Sequence, residues 1–447
     1  SGGSAGGGAI FNNGGALWLT NCTFVTNTAS SGAGGNGADA LVGGNGNNGG
    51  RGGDGGRASG GAIANAAGTV LVYDCTFTKN GATGASGGIG GNGTGIRPSG
   101  ANGTPGGGVS GGIFNDSGTV MVLFSTFNNN VATGANGRDG KPGVGEANGA
   151  GGTAGSPASG GAICNNGGTL WMTNCTFFGN SVVGGNGGNG GDGGTFGFGG
   201  NGGDGGGGGA GKGGAAFNTA GGTNTAVNCT VSNNSAQGGA GGSGGAAGSP
   251  VRKAGQTGGP GANFGGGIAG EGGLFTLQNT LVGRSLLGGN AAGAITDGGY
   301  NLIDDNSLAL SAAGSRTSTS LFLGVLSSNG GLTQTVAIRS NSPAINAGND
   351  AFCLPTDQRH YVRAGACDIG AYEFNGFVPA ATLNIRRQTN QVVLSWTTAV
   401  PGYSLQLNPN LSPTNWTALT NVPVVVTNAN VVTDTASDPR RFYRLVK

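Results

Sequence analysis

The chain has 447 residues, of which 108 are glycine and only 14 are proline, and its formal net charge at pH 7 is +2. A collagen triple helix is excluded because the sequence lacks the regular Gly-X-Y pattern with abundant proline. The near-neutral charge excludes the basic bias of nucleic-acid-binding proteins, and no run of about 18 apolar residues predicts a membrane span. Hydrophobic residues make up 35% of the chain and recur in regular places, which argues against disorder.

A segment that reads GGAI, or a variant of it, recurs along the chain, and its equivalent residues are 50 to 53 positions apart (Ile10, Ile63, Ile113, Ile163, Ala216 and Ile268). The six copies begin at Gly7, Gly60, Gly111, Gly160, Gly213 and Gly265. Each copy has about 22 residues of alternating pattern, which is too few to bury a core alone. The copies are therefore predicted to stack on one another.

Period-two alternation within each copy, as in TLWMTNCTFFGN at 169–180, predicts short strands separated by Gly/Asn turns. One turn of chain per copy predicts an all-β fold, a right-handed parallel β-helix over residues 1–320 with coils about 4.8 Å apart.

Matching positions of stacked coils form columns of like side chains. The predicted columns are an inward Cys column (Cys22, Cys75, Ser125, Cys175, Cys229, Asn279), a Phe column (Phe24, Phe77, Phe127, Phe177, Val231, Leu281) and an Asn column (Asn27, Asn80, Asn130, Asn180, Asn234). The Asn column is expected to share side-chain amide hydrogen bonds along the stack.

Five glycine-rich inserts separate the copies, at about 31–58, 82–108, 133–158, 183–212 and 237–264. Each leaves the coil at the same point, so all five are expected on one side of the β-helix. Glycine fills two of every three positions in stretches such as 184–194, and three residues per turn is the period of polyproline II. We predict polyglycine-II-like arms that hydrogen-bond to one another; irregular loops are the alternative.

The sequence carries three resemblances. The GGAI and FxxN pattern over residues 7–285 resembles the repeats of polymorphic outer-membrane-protein passengers, which implies a β-helical surface protein. Residues 321–378, with DQRHYVRAGACDIGAYEF at 357–374, resemble the end of choice-of-anchor Q proteins of bacterial cell surfaces, except that His360 stands where that family usually has Gly. The inserts resemble the glycine bundles of certain antifreeze proteins and phage tail adhesins.

The C-terminal part, residues 379–447, has little glycine and shows short alternating strands with turn signals. These features predict an immunoglobulin- or fibronectin-type β-sandwich. It resembles the modules that follow β-helices in exported bacterial proteins.

Seven cysteines are present, and Cys353 and Cys367 flank a short loop, so a disulfide is expected between them. Two states remain open for the column cysteines Cys22, Cys75, Cys175 and Cys229: free thiols, or disulfides between neighbouring coils. Buried free thiols are favoured, because side chains in parallel register hold their Cβ atoms too far apart for easy bridging.

No catalytic or cofactor-binding constellation is recognisable, and the chain is not expected to be an enzyme. Asp74 and Asp116 fall in different columns, Asp304 and Asp305 form a lone pair, and His360 is the single histidine. Calcium is a minor possibility: GGNGADALV at 34–42 fits one nonapeptide calcium repeat with Asp39 as the ligand, but such repeats bind in tandem.

We expect an extracellular or cell-surface structural protein, exported with its signal removed because the sequence opens directly in repeat material. The favoured function is the subunit of a head-to-tail filament, in which an uncapped first coil docks on another copy. The alternatives are a monomeric adhesin that binds glycans or a surface, and a polysaccharide-degrading enzyme. No nucleic-acid partner is expected.

Overall fold

A computed structural model describes residues 1–41, 48–93, 99–378, 381–398, 402–411, 415–426, 429–435 and 440–446. The chain divides into two compact units, one of residues 1–359 and 365–374 and the other of residues 360–364 and 375–447. The expected second boundary, at 378/379, lies close to this division, whereas most of 321–378 belongs to the first unit.

The first unit is a parallel β-helix whose first five coils each contribute to four sheets, named A to D in chain order. Sheet A consists of Ala5–Gly6, Ala58–Ser59, Gly108–Val109, Ala158–Ser159, Gly211–Lys212 and Asn263–Phe264. Sheet B consists of Ile10–Thr20, Ile63–Tyr73, Ile113–Asn115, Thr119–Leu123, Ile163–Asn165, Thr169–Thr173, Ala216–Asn218, Thr223–Val227, Ile268–Gly270, Leu274–Gln278, Ala291–Gly293 and Thr296–Asp297. Sheet C consists of Thr23–Val25, Thr76–Thr78, Thr126–Asn128, Thr176–Phe178, Thr230–Ser232, Leu281–Gly283 and Leu302–Ile303. Sheet D consists of Thr28–Ser30, Gly81–Thr83, Val131–Thr133, Ser181–Val183 and Ser235–Gln237.

Neighbouring coils are aligned at the repeat spacing read from the sequence. Ile113 pairs with Ile63 on one side and with Ile163 on the other, and the strands of these sheets are parallel. The predicted all-β fold, a parallel β-helix followed by C-terminal antiparallel sheets, is confirmed.

The interior of the coil holds apolar side chains from sheets B and C. Phe77, Phe127 and Phe177 are fully or almost fully buried, and alternate residues of sheet B, such as Val120 and Leu170, point to the same core. Fully burying such a side chain contributes about 1.5–3 kcal/mol, so repetition over the coils supplies a core that no single copy has.

The last coil is covered by residues 304–319. Leu308 and Leu310 pack against the end of the core. Backbone bonds join Ile303 N to Arg316 O and Thr319 N to Ile303 O. This end of the described β-helix is therefore closed by the chain itself.

Residues 321–359 and 365–374 run over the outer side of sheet C. They contain the antiparallel strands Leu323–Ser327 and Thr335–Ile338 and the 3₁₀-helix Asp350–Phe352. Gln358 bridges two coils, because its Nε2 donates to Thr126 Oγ1 at 2.9 Å while its Oε1 accepts from Thr176 Oγ1 at 2.6 Å.

The second unit has two antiparallel sheets that share one core, which includes Leu394, Trp396 and Val432 from one sheet and Leu405 from the other. The four-stranded sheet consists of Asn384–Gln388, Gln391–Thr397, Ala429–Thr435 and Val424–Val426. The three-stranded sheet consists of Thr417–Ala418, Ser404–Asn408 and Phe442–Val446.

Candidate functional site

The predicted Asn column forms a continuous hydrogen-bonded ladder inside the corner between sheets C and D. The Nδ2 of each residue donates to the Oδ1 of the next, at 2.9, 2.8, 2.9 and 3.0 Å along Asn27, Asn80, Asn130, Asn180 and Asn234. The Nδ2 of Asn130 also donates to the carbonyl of Phe77 in the preceding coil. These bonds satisfy amides that burial would otherwise penalise by about 1–3 kcal/mol each.

The Phe column forms a stack of nearly parallel rings. Ring centroids are separated by 4.6 Å between Phe24 and Phe77, by 4.5 Å between Phe77 and Phe127, and by 5.1 Å between Phe127 and Phe177. In the sixth coil the column continues through Val282, which pairs with Val231, and the expected assignment to Leu281 is wrong.

The Cys column places Cys75, Cys175 and Cys229 in the core, and Cys22 is partly exposed. All four are free thiols in the structure. Burial raises the pKa of Cys75 to about 11 and that of Cys175 well above its ordinary value. At neutral pH such thiols are protonated and poorly nucleophilic.

The sixth residue of the Cys column is Thr280, whose Oγ1 accepts from Cys229 N at 3.3 Å, and the expected assignment to Asn279 is wrong. Asn279 belongs instead to the positive-φ corner before the column, together with Asn174 and Asn228.

Cys353 and Cys367 form a disulfide. Asn279 lies beside it, since its Nδ2 is 3.2 Å from Cys353 Sγ and donates to Asn349 O at 3.0 Å. The disulfide thus lies where residues 321–374 meet the end of the coil.

A second Asn ladder was missed by the sequence analysis. It runs through sheet B, where Nδ2-to-Oδ1 distances are 2.7, 2.8, 2.7 and 3.2 Å along Asn12, Asn65, Asn115, Asn165 and Asn218. The signal was present in the sequence: an Asn stands two residues after the repeated Ile or Ala in the first five copies.

The glycine-rich inserts form arms that run out from the coil and back, and their backbones bond to one another. In the fourth insert, Gly185, Gly188 and Gly191 donate at 2.8–2.9 Å to carbonyls of the third insert. On the returning arm, Gly203 donates to Gly191 O and Gly206 to Gly188 O, each at 2.8 Å. We call this hydrogen-bonded layer of arms the glycine layer.

Glycine is required because the arms lie so close together. A Cβ added to Gly188 would lie 2.1 Å from the carbonyl oxygen of Arg138, and one added to Gly190 would lie 1.8 Å from that of Gly203. No side chain fits at such distances, so glycine is required at the positions that face a neighbouring backbone.

In arms such as 184–194 the third position of each triplet holds Asn or Asp, whose side-chain oxygen accepts from the backbone N–H of the third-position residue in the next insert. Asn186 Oδ1 accepts from Ala240 N at 2.8 Å, and Asp192 Oδ1 accepts from Ala246 N at 2.7 Å. On returning arms, Asp204 Oδ1 accepts from Gln256 N at 2.7 Å. These carboxylates and amides are acceptors in the scaffold.

Acidic residues near the coil are likewise held by backbone and hydroxyl donors. Burial opposes ionisation of Asp297 and Asp305, but hydrogen bonds from residues such as Ala312 N and Asn290 N outweigh it and lower both pKa values. Asp304 accepts from Arg284 N at 2.9 Å and from Asn290 Nδ2 at 2.6 Å. Carboxylates held in this way are poor candidates for general acids.

In the part of the chain that the structure describes, no group of three or more His, Cys, Asp or Glu side chains could hold a metal ion. In the nonapeptide motif at 34–42, Asp39 Oδ1 accepts from Asn92 N at 2.5 Å, and Val42 lies outside the described residues. No helix in the described ranges is long and apolar enough to cross a membrane.

The outer face of sheet B carries three columns of outward side chains, one residue in two along each strand. They are Ala16, Thr69, Thr119, Thr169, Thr223 and Leu274; Trp18, Leu71, Met121, Trp171, Thr225 and Thr276; and Thr20, Tyr73, Leu123, Thr173, Val227 and Gln278. All are uncharged, and Trp18 and Trp171 are 77% and 47% exposed. Residues between them, such as Val72 and Met172, are buried.

Comparisons of the sequence with protein-family models and with curated proteins, and of the structure with solved structures, found no match.

Proposed function

We propose that the chain is a structural protein of the cell exterior, a rigid and non-catalytic scaffold that binds a surface. The observation that carries this proposal is the glycine layer. Many of its backbone N–H groups are bonded to neighbouring arms or to Asn and Asp side chains, at distances such as 2.8 Å for both Gly188 O···N Gly206 and Asn186 Oδ1···N Ala240. Ordering glycine costs more conformational entropy than ordering any other residue, so an ordered layer implies a selected need for rigidity.

Two further observations support the proposal. The Cys353–Cys367 disulfide is typical of proteins that leave the reducing cytoplasm. The acidic residues of the last coil, including Asp297 and Asp305, are used as hydrogen-bond acceptors within the fold.

Hydrogen–deuterium exchange with mass spectrometry tests the rigid scaffold. Peptides from 184–194 and 200–209 are expected to exchange at least ~1000-fold more slowly than a synthetic peptide of residues 184–204, because their donors are bonded within the layer. Exchange of the intact protein at the rate of the free peptide would refute the proposal. Antibody labelling of unbroken cells tests the location, and staining only after lysis would contradict an exterior position.

Head-to-tail polymerisation remains a prediction. Residues 304–319 cover the last coil, with Leu308 and Leu310 against its core, so a filament would dock on this cap and would not extend the sheets directly. Negative-stain microscopy at high protein concentration distinguishes filaments from dispersed particles.

A further inference from the structure

We propose that the outer face of sheet B binds an uncharged polysaccharide, with Trp18 and Trp171 as stacking platforms. This inference deepens the proposed function and rests on it, since it names the class of surface that the scaffold holds. Four observations lead to it: the charge of the face, its two exposed indoles, the covering of the neighbouring sheet, and the area available.

The face is uncharged but not purely apolar. Its first column is mainly threonine, and threonines recur in the other two columns, for example Thr173 and Thr225. Each hydroxyl both donates and accepts a hydrogen bond, which matches the hydroxyl groups of a neutral sugar. An acidic polysaccharide would lose the hydration of its carboxylates against this face without gaining a cation.

The two indoles lie in one column. Trp18 pairs with Leu71, Leu71 with Met121, and Met121 with Trp171, so three coil spacings, about 14 Å, separate the two Trp positions. Both project from strands that are fixed in register by their neighbours. An indole on a rigid strand offers a large contact area at low entropic cost.

The outer faces of sheets B and C differ in whether the chain covers them. On sheet C, the outward hydroxyls of Thr126 and Thr176 are covered by residues of the 321–359 segment and bond to Gln358. On sheet B, Trp18 remains 77% exposed and Trp171 47% exposed. An exposed face with aromatic side chains, beside a sheet whose outer face the chain itself covers, is a candidate binding surface.

The dimensions of the face favour an extended chain over a second protein. Five residues along a strand span about 16 Å and five coil spacings about 24 Å, which gives roughly 400 Å². A stable protein–protein contact buries about 800 Å² on each partner. A flat strip of this size suits a linear polymer that gains affinity by binding many copies of the protein.

Pull-down of the full-length protein on insoluble polysaccharides tests the inference. The probes are cellulose and chitin as neutral matrices and cross-linked alginate as an acidic one. We expect retention on at least one neutral matrix and none on alginate. The double variant Trp18→Thr/Trp171→Thr should weaken retention at least 10-fold; Thr is chosen because Thr225 and Thr276 occupy the same column.

The matched control is Phe196→Thr/Phe198→Thr, which removes two aromatic side chains that are 76% and 72% exposed on the fourth insert. Retention should be unchanged in the control, and the urea midpoints of both variants should stay near that of the wild type. Equal loss in both double variants, or preference for alginate, would overturn the inference.

Three other results are informative. Binding to no neutral matrix, with slow exchange in the glycine layer, would overturn this inference and leave the proposed function intact. A concentration-dependent dimer that the Trp variants abolish would assign the face to a second copy and also overturn it. Release of reducing sugars from a bound matrix would instead refute the non-catalytic function, while retention itself would still support binding at this face.

Discussion

At the corner between sheets C and D, one residue in each coil has a positive φ of 53° to 65°. The residues are Thr26, Lys79, Asn129, Gly179, Asn233 and Arg284. Asn and Gly tolerate this left-handed region, whereas other residues pay roughly 1–2 kcal/mol to adopt it. The chain therefore carries local strain at Thr26, Lys79 and Arg284 that its own Asn-containing coils avoid.

Lys79→Asn is expected to stabilise the protein by about 1 kcal/mol. Lys79 is exposed, so its replacement removes backbone strain without leaving a cavity, and Asn129 shows that the corner accepts Asn. The measurement is the urea midpoint at pH 7. The control is Asn129→Lys, which should destabilise by a similar amount; a pair of changes with the same sign would contradict the role of φ.

The buried thiols link stability to alkaline pH. Burial raises the folded-state pKa of Cys75 to about 11 from an ordinary 9.0. A raised thiol pKa contributes stability that is fully present below the unfolded pKa, because the folded state then binds the proton more tightly. That contribution is lost as pH rises from about 9 through 11.

We expect the free energy of unfolding to fall between pH 9 and 11, and the variant Cys75→Ser/Cys175→Ser to fall less steeply. Serine is the matched replacement because Ser125 occupies this column and accepts from Cys75 N at 3.0 Å. Urea titrations across that pH range measure both slopes. Identical slopes would mean that the loss comes from other groups, such as the lysines and tyrosines.

The residue columns also show how far the sequence could be read. Repetition was sufficient to place Phe77, Phe127 and Phe177 in one stack, because like residues at a fixed period occupy like positions. The sixth coil was misaligned by one residue, and such a slip moves every side chain to the opposite face. Matching Asn279 with Asn228, both at positive φ, gives the correct register, but φ is not visible in a sequence.

At the scale of structural elements, the number of glycines in an arm of the glycine layer follows the number of backbones beside that arm. Inner arms such as 184–194 have two glycines in three residues, and their glycines face two neighbouring backbones. The last arm, 252–262, keeps glycine at Gly255, Gly258 and Gly261, where a Cβ would meet the fourth insert at 1.8–2.1 Å. Glycine is thus required at each position where another backbone lies this close.

The sequence shows the period of three, but it does not show which arms bond to each other. Asn186 and Asn189 were visible as the third residues of their triplets, yet their bonded partners, Ala240 N and Ser243 N, lie 54 residues away. This separation in sequence depends both on the register of the coils and on the length of each insert. The role of Asn and Asp as acceptors therefore emerges only from the folded layer.

Gly188→Ala is expected to destabilise the protein by about 1–3 kcal/mol, because its methyl group would lie 2.1 Å from Arg138 O and would push two arms apart. The matched control is Gly207→Ala on the returning arm, where the nearest atom, Gly259 O, is 3.6 Å away. The control should be neutral or stabilising by up to about 1 kcal/mol, since alanine restricts the unfolded chain. Chemical denaturation measures both; equal costs would contradict the close approach.

In the first unit as a whole, the β-helical coil and the glycine layer depend on each other. The coil fixes where the arms begin, at the common exit after sheet D, and the arms in turn bond across coils, as Gly239 N does to Gly209 O at 2.8 Å. The first, third and fourth inserts also present glycines towards the next insert, since Cβ atoms added to Gly52, Gly152 and Gly205 would lie 2.2, 2.0 and 1.9 Å from its carbonyl oxygens. A layer built in this way grows by repetition and needs a terminating edge.

The fifth insert carries such an edge. In the fourth insert, Gly202, Gly205 and Gly208 face the following arm, and added Cβ atoms would lie 1.9–2.0 Å from its carbonyl oxygens. The equivalent positions of the fifth insert hold Ala254, Thr257 and Pro260, all exposed. Their side chains occupy the space that another arm would need, and Pro260 has no N–H to offer.

Restoring glycine at this edge should therefore allow a second copy to dock. We expect the variant Ala254→Gly/Thr257→Gly/Pro260→Gly to associate as concentration rises, with a weight-average mass that moves from its low-concentration value towards twice that value. Sedimentation or light scattering of variant and wild type measures this directly. The control is Gln256→Gly, which adds a glycine to the same arm and leaves Ala254, Thr257 and Pro260 in place. If the triple variant shows the same mass as the wild type at every concentration, close backbone approach is not what limits growth of the layer, and the side chains of the fifth insert have no terminating role.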